Sequence, residues 1–248
     1  MEREGKQQHF RWDRVHWWTR STRWLCSRVL EGVLRQRGER LRIWDAGCGT
    51  GLMAAEAWRY GEVVATDSDL ETIGFAKEQV PSVEFRCGAM GSEEFRDCFD
   101  VVLSLDVLYH RSVVDWRRAL QVLVRALVPG GVLIVQVPAY EWLAGRHDEF
   151  VGGSRRFSPR ELRSAFLDAG LRLRLFSHRF TLLMPLVWCR RAFSVWGREG
   201  GDLEVSAGGS FFGFWMERAL RWESLLVLRG FSLEVGSSLF VVAERRAE

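Results

Sequence analysis

From about residue 41 the chain alternates short, almost wholly apolar runs with longer amphipathic stretches. The runs starting at Leu41, Glu62–Thr66, Phe99–Leu105 and Val132–Val137 are bounded by glycine, proline or aspartate, which predicts strands buried on both faces. Between two of them, Val113, Ala119, Leu120, Leu123, Val124 and Leu127 fall on one helical face, predicting a helix over 113–127. A further helical stretch follows Asp69 and runs to Val80. Ser158-Pro159 predicts an N-cap with proline in the first turn, opening a helix that runs to Ala169 and closes on Gly170. Strand and helix in this alternation predict an α/β fold with a doubly wound, mostly parallel sheet and right-handed crossovers.

The flanks differ from this centre. Trp12 to Arg37 reads as an amphipathic helical lead-in. Leu171–Ser177 and Ser238–Glu244 read as two more strands. Between those strands lie an apolar run from Thr181 to Trp196, a glycine-rich turn at 200–209 and an aromatic-rich helix from Phe211 to Leu228. Neither apolar run reaches the ~18 uncharged residues that a membrane-spanning helix needs. The expected organisation is a lead-in over 1–40, an α/β core over 41–179, a helical insertion over 180–236 and a final strand with its tail over 237–248.

The densest chemistry lies at the end of the first strand, where Asp45-Ala46-Gly47-Cys48-Gly49-Thr50-Gly51 opens a helix. Alternating glycines allow backbone N–H groups to approach a ligand and take φ values closed to other residues. A dinucleotide fold wants G-x-G-x-x-G, and the last glycine of that pattern would fall at Leu52. The second strand ends in Asp67, followed by Ser68 and Asp69. A carboxylate there can accept two hydrogen bonds from a ribose diol, in a nicotinamide cofactor as well as in other nucleosides. Asp69 suits a helix N-cap better than Asp67 does.

The loop resembles motif I of the class I S-adenosylmethionine-dependent methyltransferases, and three further segments resemble that family in the expected order: Asp67 after strand two, Phe99-Asp100-Val101-Val102 running to Asp106-Val107-Leu108-Tyr109-His110, and Pro129-Gly130-Gly131 with the strand after it. His16-Trp17-Trp18 with Arg20 and Arg23, and Pro138-Ala139-Tyr140-Glu141-Trp142-Leu143 through His147-Asp148 to Arg155-Arg156-Phe157, resemble a bacterial and archaeal subgroup. The resemblance implies a seven-stranded sheet with an antiparallel last strand, an N-terminal helix and a helical insertion before that strand. It implies S-adenosylmethionine as cofactor, held by Trp17, Arg20, Asp45, Gly47, Cys48, Gly49, Gly51, Asp67, Ser68, Ala89, Met90 and Leu105. Two positions depart from the family. Ala89 stands where a carboxylate commonly meets the adenine amino group, and Ser154 stands where the subgroup has histidine.

Composition changes this picture little. A net charge of +3 on 248 residues, without a long block of like charge, gives no sign of nucleic-acid binding. The five cysteines are odd in number and widely spaced, with no C-x-x-C pair, so neither a disulfide framework nor a metal site is expected. No apolar segment of signal-peptide type follows Met1, and a reducing cytoplasm is the expected compartment.

An activated sulfonium methyl needs an acceptor held in line and, for an oxygen nucleophile, a base. Candidates are His147 with Asp148, and His110; loop imidazoles bonded to backbone are the alternative for both. Tyr140 is a candidate for orienting the acceptor, and Arg155 and Arg156 for an anionic group on it. The reading is a methyltransferase, acting at oxygen on a small or lipid-like acceptor. The other reading is a cofactor-binding fold of the same type that serves protein or membrane association without methyl transfer. The insertion is expected to cap the acceptor site, with a structural helical pair, a homodimer interface or a peripheral membrane contact as the alternatives; Phe211, Phe212, Phe214, Trp215 and Trp222 beside arginines carry the last.

Overall fold

The computed structural model describes residues 3–91, 95–145, 148, 151–185 and 211–247. Seven strands form one sheet: β1 (Leu41–Ala46), β2 (Gly61–Asp67), β3 (Glu84–Cys87), β4 (Phe99–Leu105), β5 (Leu127–Pro138), β6 (Leu171–Arg179) and β7 (Ser238–Arg245). Their order is β3-β2-β1-β4-β5-β7-β6, with β7 antiparallel to both of its neighbours and every other pairing parallel. The chain therefore reverses its direction of winding between β1 and β4, the switch point at whose carboxyl end such sheets bind ligands.

Both faces of the sheet are covered, which is why the strands read as continuous apolar runs. Trp44, Val102, Leu133 and Val135 point to one side, where Leu120 and Leu123 of α5 (Trp116–Ala126) and Leu162 and Phe166 of α6 (Pro159–Asp168) close the layer. Ile43, Val101, Leu103 and Ile134 point to the other, against α2 (Trp17–Arg37), α3 (Leu52–Ala57) and α4 (Leu70–Gln79).

Three expectations shift by local chemistry. The lead-in is two helices, α1 (Arg3–Val15) and α2, because His16 is extended at φ −69, ψ 130 and its Nδ1 accepts from the Trp18 N–H as an N-cap. The helix expected from Val113 starts at Trp116, where the Asp115 carboxylate accepts from the N–H groups of Arg117 and Arg118. The Pro129-Gly130-Gly131 turn lies inside β5, as the irregularity between the Phe99–Leu127 and Val101–Val132 pairings.

Within the insertion, α7 (Phe211–Leu228) has the expected bounds, and Thr181–Leu183 is a short 3-10 turn; the rest of the apolar run, 186–196, and the glycine-rich turn lie outside the described residues. α7 packs on α2 and on the end of β6. The tie is polar at its centre. The Glu223 carboxylate accepts from the backbone N–H groups of Phe180 (2.6 Å) and Thr181 (2.9 Å) and from Arg179 Nε (3.3 Å), and Arg179 Nη2 donates to Ser21 Oγ of α2 (3.2 Å). Arg179 is 0% exposed and Glu223 3%. This clamp holds Phe180 in the left-handed region at φ 62, stacked on Trp18, a conformation that a bulky residue adopts only when its surroundings impose it. Glu223→Ala strands a buried guanidinium and the backbone donors of Phe180, Thr181 and, at 3.4 Å, Leu182, so it should cost about 3–5 kcal/mol by urea denaturation. Arg179→Met with Glu223→Leu should cost less than Glu223→Ala alone.

Candidate functional site

The glycine loop follows β1 and packs at the switch point. Gly47 and Cys48 both donate their N–H groups to the Thr66 carbonyl of β2, at 2.8 and 2.9 Å. Gly47, Gly49 and Gly51 all have positive φ, but for different reasons. A Cβ on Gly47 would lie 2.3 Å from a Val107 methyl, and one on Gly51 would lie 2.8 Å from the Phe85 ring. A Cβ on Gly49, at φ 52, meets nothing within 4 Å. Two glycines therefore serve the fold, and the middle one faces open space, as a cradle for a ligand would.

Carboxylates surround this opening. Asp67 Oδ2 accepts from the Gly49 N–H (2.9 Å) and Oδ1 from the Asp69 N–H (3.0 Å), which fixes the carboxylate at the loop. Asp69 is the N-cap of α4, as its place in the sequence suggests. Asp45 is 2% exposed, and its Oδ2 has no hydrogen-bond partner. Burial, with the Asp67 charge beside it, pushes the Asp45 carboxyl from 3.8 up to about 7.

The third carboxylate, Asp106, is not among the cofactor residues that the resemblance implies. It directly follows β4 at φ 56, another non-glycine residue in the left-handed region. Gln136 Nε2 donates to its Oδ2 at 2.8 Å, and Thr22 Oγ1 of α2 donates to Gln136 Oε1 at 3.3 Å. Asp106 as a residue is exposed, while protein atoms crowd its carboxyl group. Burial pushes its carboxyl up to about 6, against the Gln136 hydrogen bond and the Arg156 and Arg179 charges, which pull it down. Its signal in the sequence is the one used for Asp45 and Asp67, an acid closing an apolar strand.

The other expected cofactor residues divide. Ser68 and Ala89 are exposed and Met90 half-buried beyond the ends of β2 and β3, where Gly88 N–H donates to the Asp67 carbonyl; Leu105 is half-buried at the end of β4, and Cys48 is buried within the loop. Trp17 instead belongs to a small apolar cluster with Phe180, Leu183 and Leu220. Arg20 pairs with Glu217 of α7 at 3.2 Å and lines a cavity of about 670 Å³ between α2 and α7, with Trp24, Phe214, Arg218 and Trp222, none of them in the glycine loop.

The expected acid–base residues are also redistributed. His147 lies outside the described residues. Asp148, expected to orient it, is gripped by Arg156, whose Nε donates to both carboxylate oxygens at 3.1 Å; the Gly145 N–H also donates to it, at 2.8 Å. Arg155 pairs with Glu161 at 2.7 Å and lies over the Trp116 and Phe157 rings, so both arginines already hold carboxylates. His110 Nδ1 accepts from the Ser112 N–H at 3.1 Å, which leaves the proton of the neutral ring on Nε2; that nitrogen lies against Gly152, in a bridge between His110 and Gly153. Its own loop thus uses the lone pair that a base would offer. Tyr140, at φ 60, has a partner that the sequence did not suggest, His178 of β6. His178 Nδ1 must donate to the Leu233 carbonyl at 2.8 Å, so its Nε2 accepts from the Tyr140 hydroxyl at 2.9 Å, with the rings stacked at 10°. Burial lowers the His178 pKa and keeps the ring neutral.

Residues 44–135 match the methyltransferase domain family. The chain is 33% identical over 107 residues to a ubiquinone biosynthesis O-methyltransferase of Bradyrhizobium sp. (strain ORS 278), covering 41% of this chain and 42% of the relative. It is 31% identical over 148 residues to a trans-aconitate 2-methyltransferase of Deinococcus radiodurans, covering 53% and 54%. The chain thus spans about half the length of these relatives. Among solved structures, an S-adenosylmethionine-dependent methyltransferase from Mesorhizobium loti shares the fold at TM-score 0.56 and 16% identity, over 83% of this chain and 91% of that one. The matched domain implies S-adenosylmethionine as the cofactor.

The residues fit that ligand. Asp67 and Asp106 present carboxylates on either side of an open glycine cradle, and Asp45 keeps an unpartnered buried oxygen behind it, an arrangement that would repel a pyrophosphate and attract a cation.

Asp45 also marks the pH dependence of folding. The folded state keeps its proton up to about pH 7 and the unfolded chain loses it near 4, so this group lowers stability as pH rises between those values. Relative to the wild type, Asp45→Asn should gain stability across that window, by an amount on the order of a few kcal/mol. Urea denaturation at pH 4.5 and 7.5 reads it; a pH-independent difference would mean that Asp45 ionises normally.

Proposed function

We propose that the chain is an S-adenosylmethionine-dependent methyltransferase that methylates oxygen on a small or lipid-like acceptor. The observation that carries the reading is the charge around the glycine cradle. A phosphate-free, cationic cofactor suits the carboxylates of Asp67 and Asp106, and a nicotinamide dinucleotide does not. The relative named as a ubiquinone biosynthesis O-methyltransferase supports methyl transfer to oxygen, and the trans-aconitate 2-methyltransferase supports a small acceptor. The cofactor supplies a methyl group already activated on a positively charged sulfur. This chain's own residues bind it, position the acceptor and exclude water.

In this reading Asp67 accepts from the ribose hydroxyls with the lone pairs left over from Gly49 and Asp69, and the Gly49 face receives the ligand backbone. On the acceptor side, Tyr140 stands beyond the end of β5 with its proton directed at His178. Its oxygen can then accept from an acceptor hydroxyl while His178 takes the phenolic proton. His147 is kept in this reading as a second base. The 180–236 insertion is proposed to close the acceptor side, since α7 is clamped to the ends of β6 and α2 rather than to the glycine loop.

The exposed aromatic side chains of α7 favour a second role beside this one. Phe214, Trp215 and Trp222 are each more than half exposed, next to Arg218, a composition suited to an interfacial contact. No helix among the described residues is long and apolar enough to cross a membrane. Trp215→Ser with Trp222→Ser should lower co-sedimentation with anionic phospholipid vesicles at least several-fold; unchanged binding would remove this role.

Calorimetry should find S-adenosylmethionine and S-adenosylhomocysteine bound 1:1, with no binding of NAD. Asp67→Ala should weaken either ligand by roughly 1.5–3 kcal/mol, the usual size for hydrogen bonds to a charged group. Gly49→Ala should reduce binding more than it lowers Tm, and Gly47→Ala should do the reverse, because only the latter meets a protein neighbour. NAD binding tighter than S-adenosylhomocysteine would overturn the assignment.

A further inference from the structure

Asp67 and Asp106 lie on opposite sides of the glycine loop. β2, β1 and β4 are consecutive in the sheet, so the two strand ends stand about 10 Å apart, the width of two strand spacings. Val107, next to Asp106, is the residue packed on Gly47. A ligand that gives its ribose to Asp67 and crosses the open Gly49 therefore brings its other end toward Asp106. Several features show a built position there. The residue is held in a left-handed conformation, and one carboxylate oxygen is fixed by a fully buried glutamine that α2 itself steadies. The residue as a whole is still exposed. Close by, the fully buried Arg179 has an Nη1 without a hydrogen-bond partner.

We propose that Asp106 is the counter-charge for the cofactor's sulfonium, so that the site prefers the charged methyl donor to its neutral, demethylated product. This rests on the cofactor reading above. Methyl transfer discharges the sulfur, and the attraction to Asp106 is lost with the charge. The contact therefore favours donor binding and product exit, not the chemical step, because it is strongest before the transition state. Charged neighbours limit the effect. Arg156, from the loop after β5, and Arg179, from β6, oppose the carboxylate's field; Tyr109 and the buried Cys26 of α2 stay protonated near neutral pH; Asp67 adds negative charge from β2, and Asp45 of β1 does so only once it loses its proton near pH 7, a second step that Asp106→Asn leaves in place.

The two ligands share adenosine and the amino-acid tail, so the ratio of their affinities isolates the charge on sulfur. Calorimetric titration of the full chain from pH 5 to 8 should show this ratio rising in favour of S-adenosylmethionine by roughly tenfold as Asp106 ionises, the equivalent of one pKa unit. Asp106→Asn should flatten the part of the rise below the Asp45 step and leave S-adenosylhomocysteine affinity within about twofold, and Asp106→Glu should restore most of it. Gln136→Leu, which removes the hydrogen bond that favours the ionised form, should move the midpoint to higher pH. A flat ratio in the wild type, an equal loss of both ligands in Asp106→Asn, or an unmoved midpoint in Gln136→Leu would each overturn the proposal. Failure of both ligands to bind the wild type would instead sink the cofactor reading.

Discussion

Everything at the candidate site depends on how closely β4 approaches the loop after β1. Gly47 can turn there only because it lacks the Cβ that would collide with Val107, and Gly51 only because Phe85 occupies the corresponding space on the other side. With both ends of the loop wedged by protein, its centre is left standing free at Gly49. The hydrogen bonds of Gly47 and Cys48 to Thr66 and of Gly49 to Asp67 then join β1, β2 and the loop into one rigid edge. A ligand that binds this edge meets a surface already shaped, and little ordering is left for binding to supply.

The second constraint is electrostatic. Three carboxyl groups stand at neighbouring strand ends, and one of them, Asp45, is almost out of contact with water and lies beside the Asp67 charge. The fold tolerates this because Asp45 keeps its proton near neutral pH, while Asp67 and Asp106 draw on backbone N–H groups and on Gln136. The same arrangement that costs the free protein stability provides a field for a cationic ligand.

A third constraint joins the acceptor side to the rest. Arg179 and Glu223 are both buried, and between them they connect β6, the turn after it, α7 and α2. Such a pair is specific more than it is stabilising, since its parts satisfy one another only in one geometry. It fixes Phe180 on Trp18 and so sets where the N-terminal helix lies over the sheet edge. Thr22, one residue along α2 from Ser21, thereby reaches Gln136 and through it Asp106.

The sequence by itself determined the strand–helix alternation, the glycine loop with Asp45 and Asp67, the N-caps at Asp69 and Ser158, and the bounds of α7, because each follows from local periodicity or from a residue type acting on its own backbone. Only the tertiary structure decided how distant polar groups pair. Asp148 takes Arg156, which comes to it from another turn of the chain, as a donor that the spacing of the sequence does not show. Tyr140 and His178 are 38 residues apart, as are the ends of no local motif, and meet because β5 and β6 both stop at the same sheet edge on either side of β7. Trp17 packs with Phe180 and Leu220 and Arg20 pairs with Glu217, contacts that no local pattern shows, since which face of α2 meets the sheet and which meets α7 depends on an element some two hundred residues further on. Asp106 carried the same strand-end signal as Asp67; what it lacked in sequence was the link to Gln136 and Thr22, which exists only once β4, β5 and α2 have been brought together.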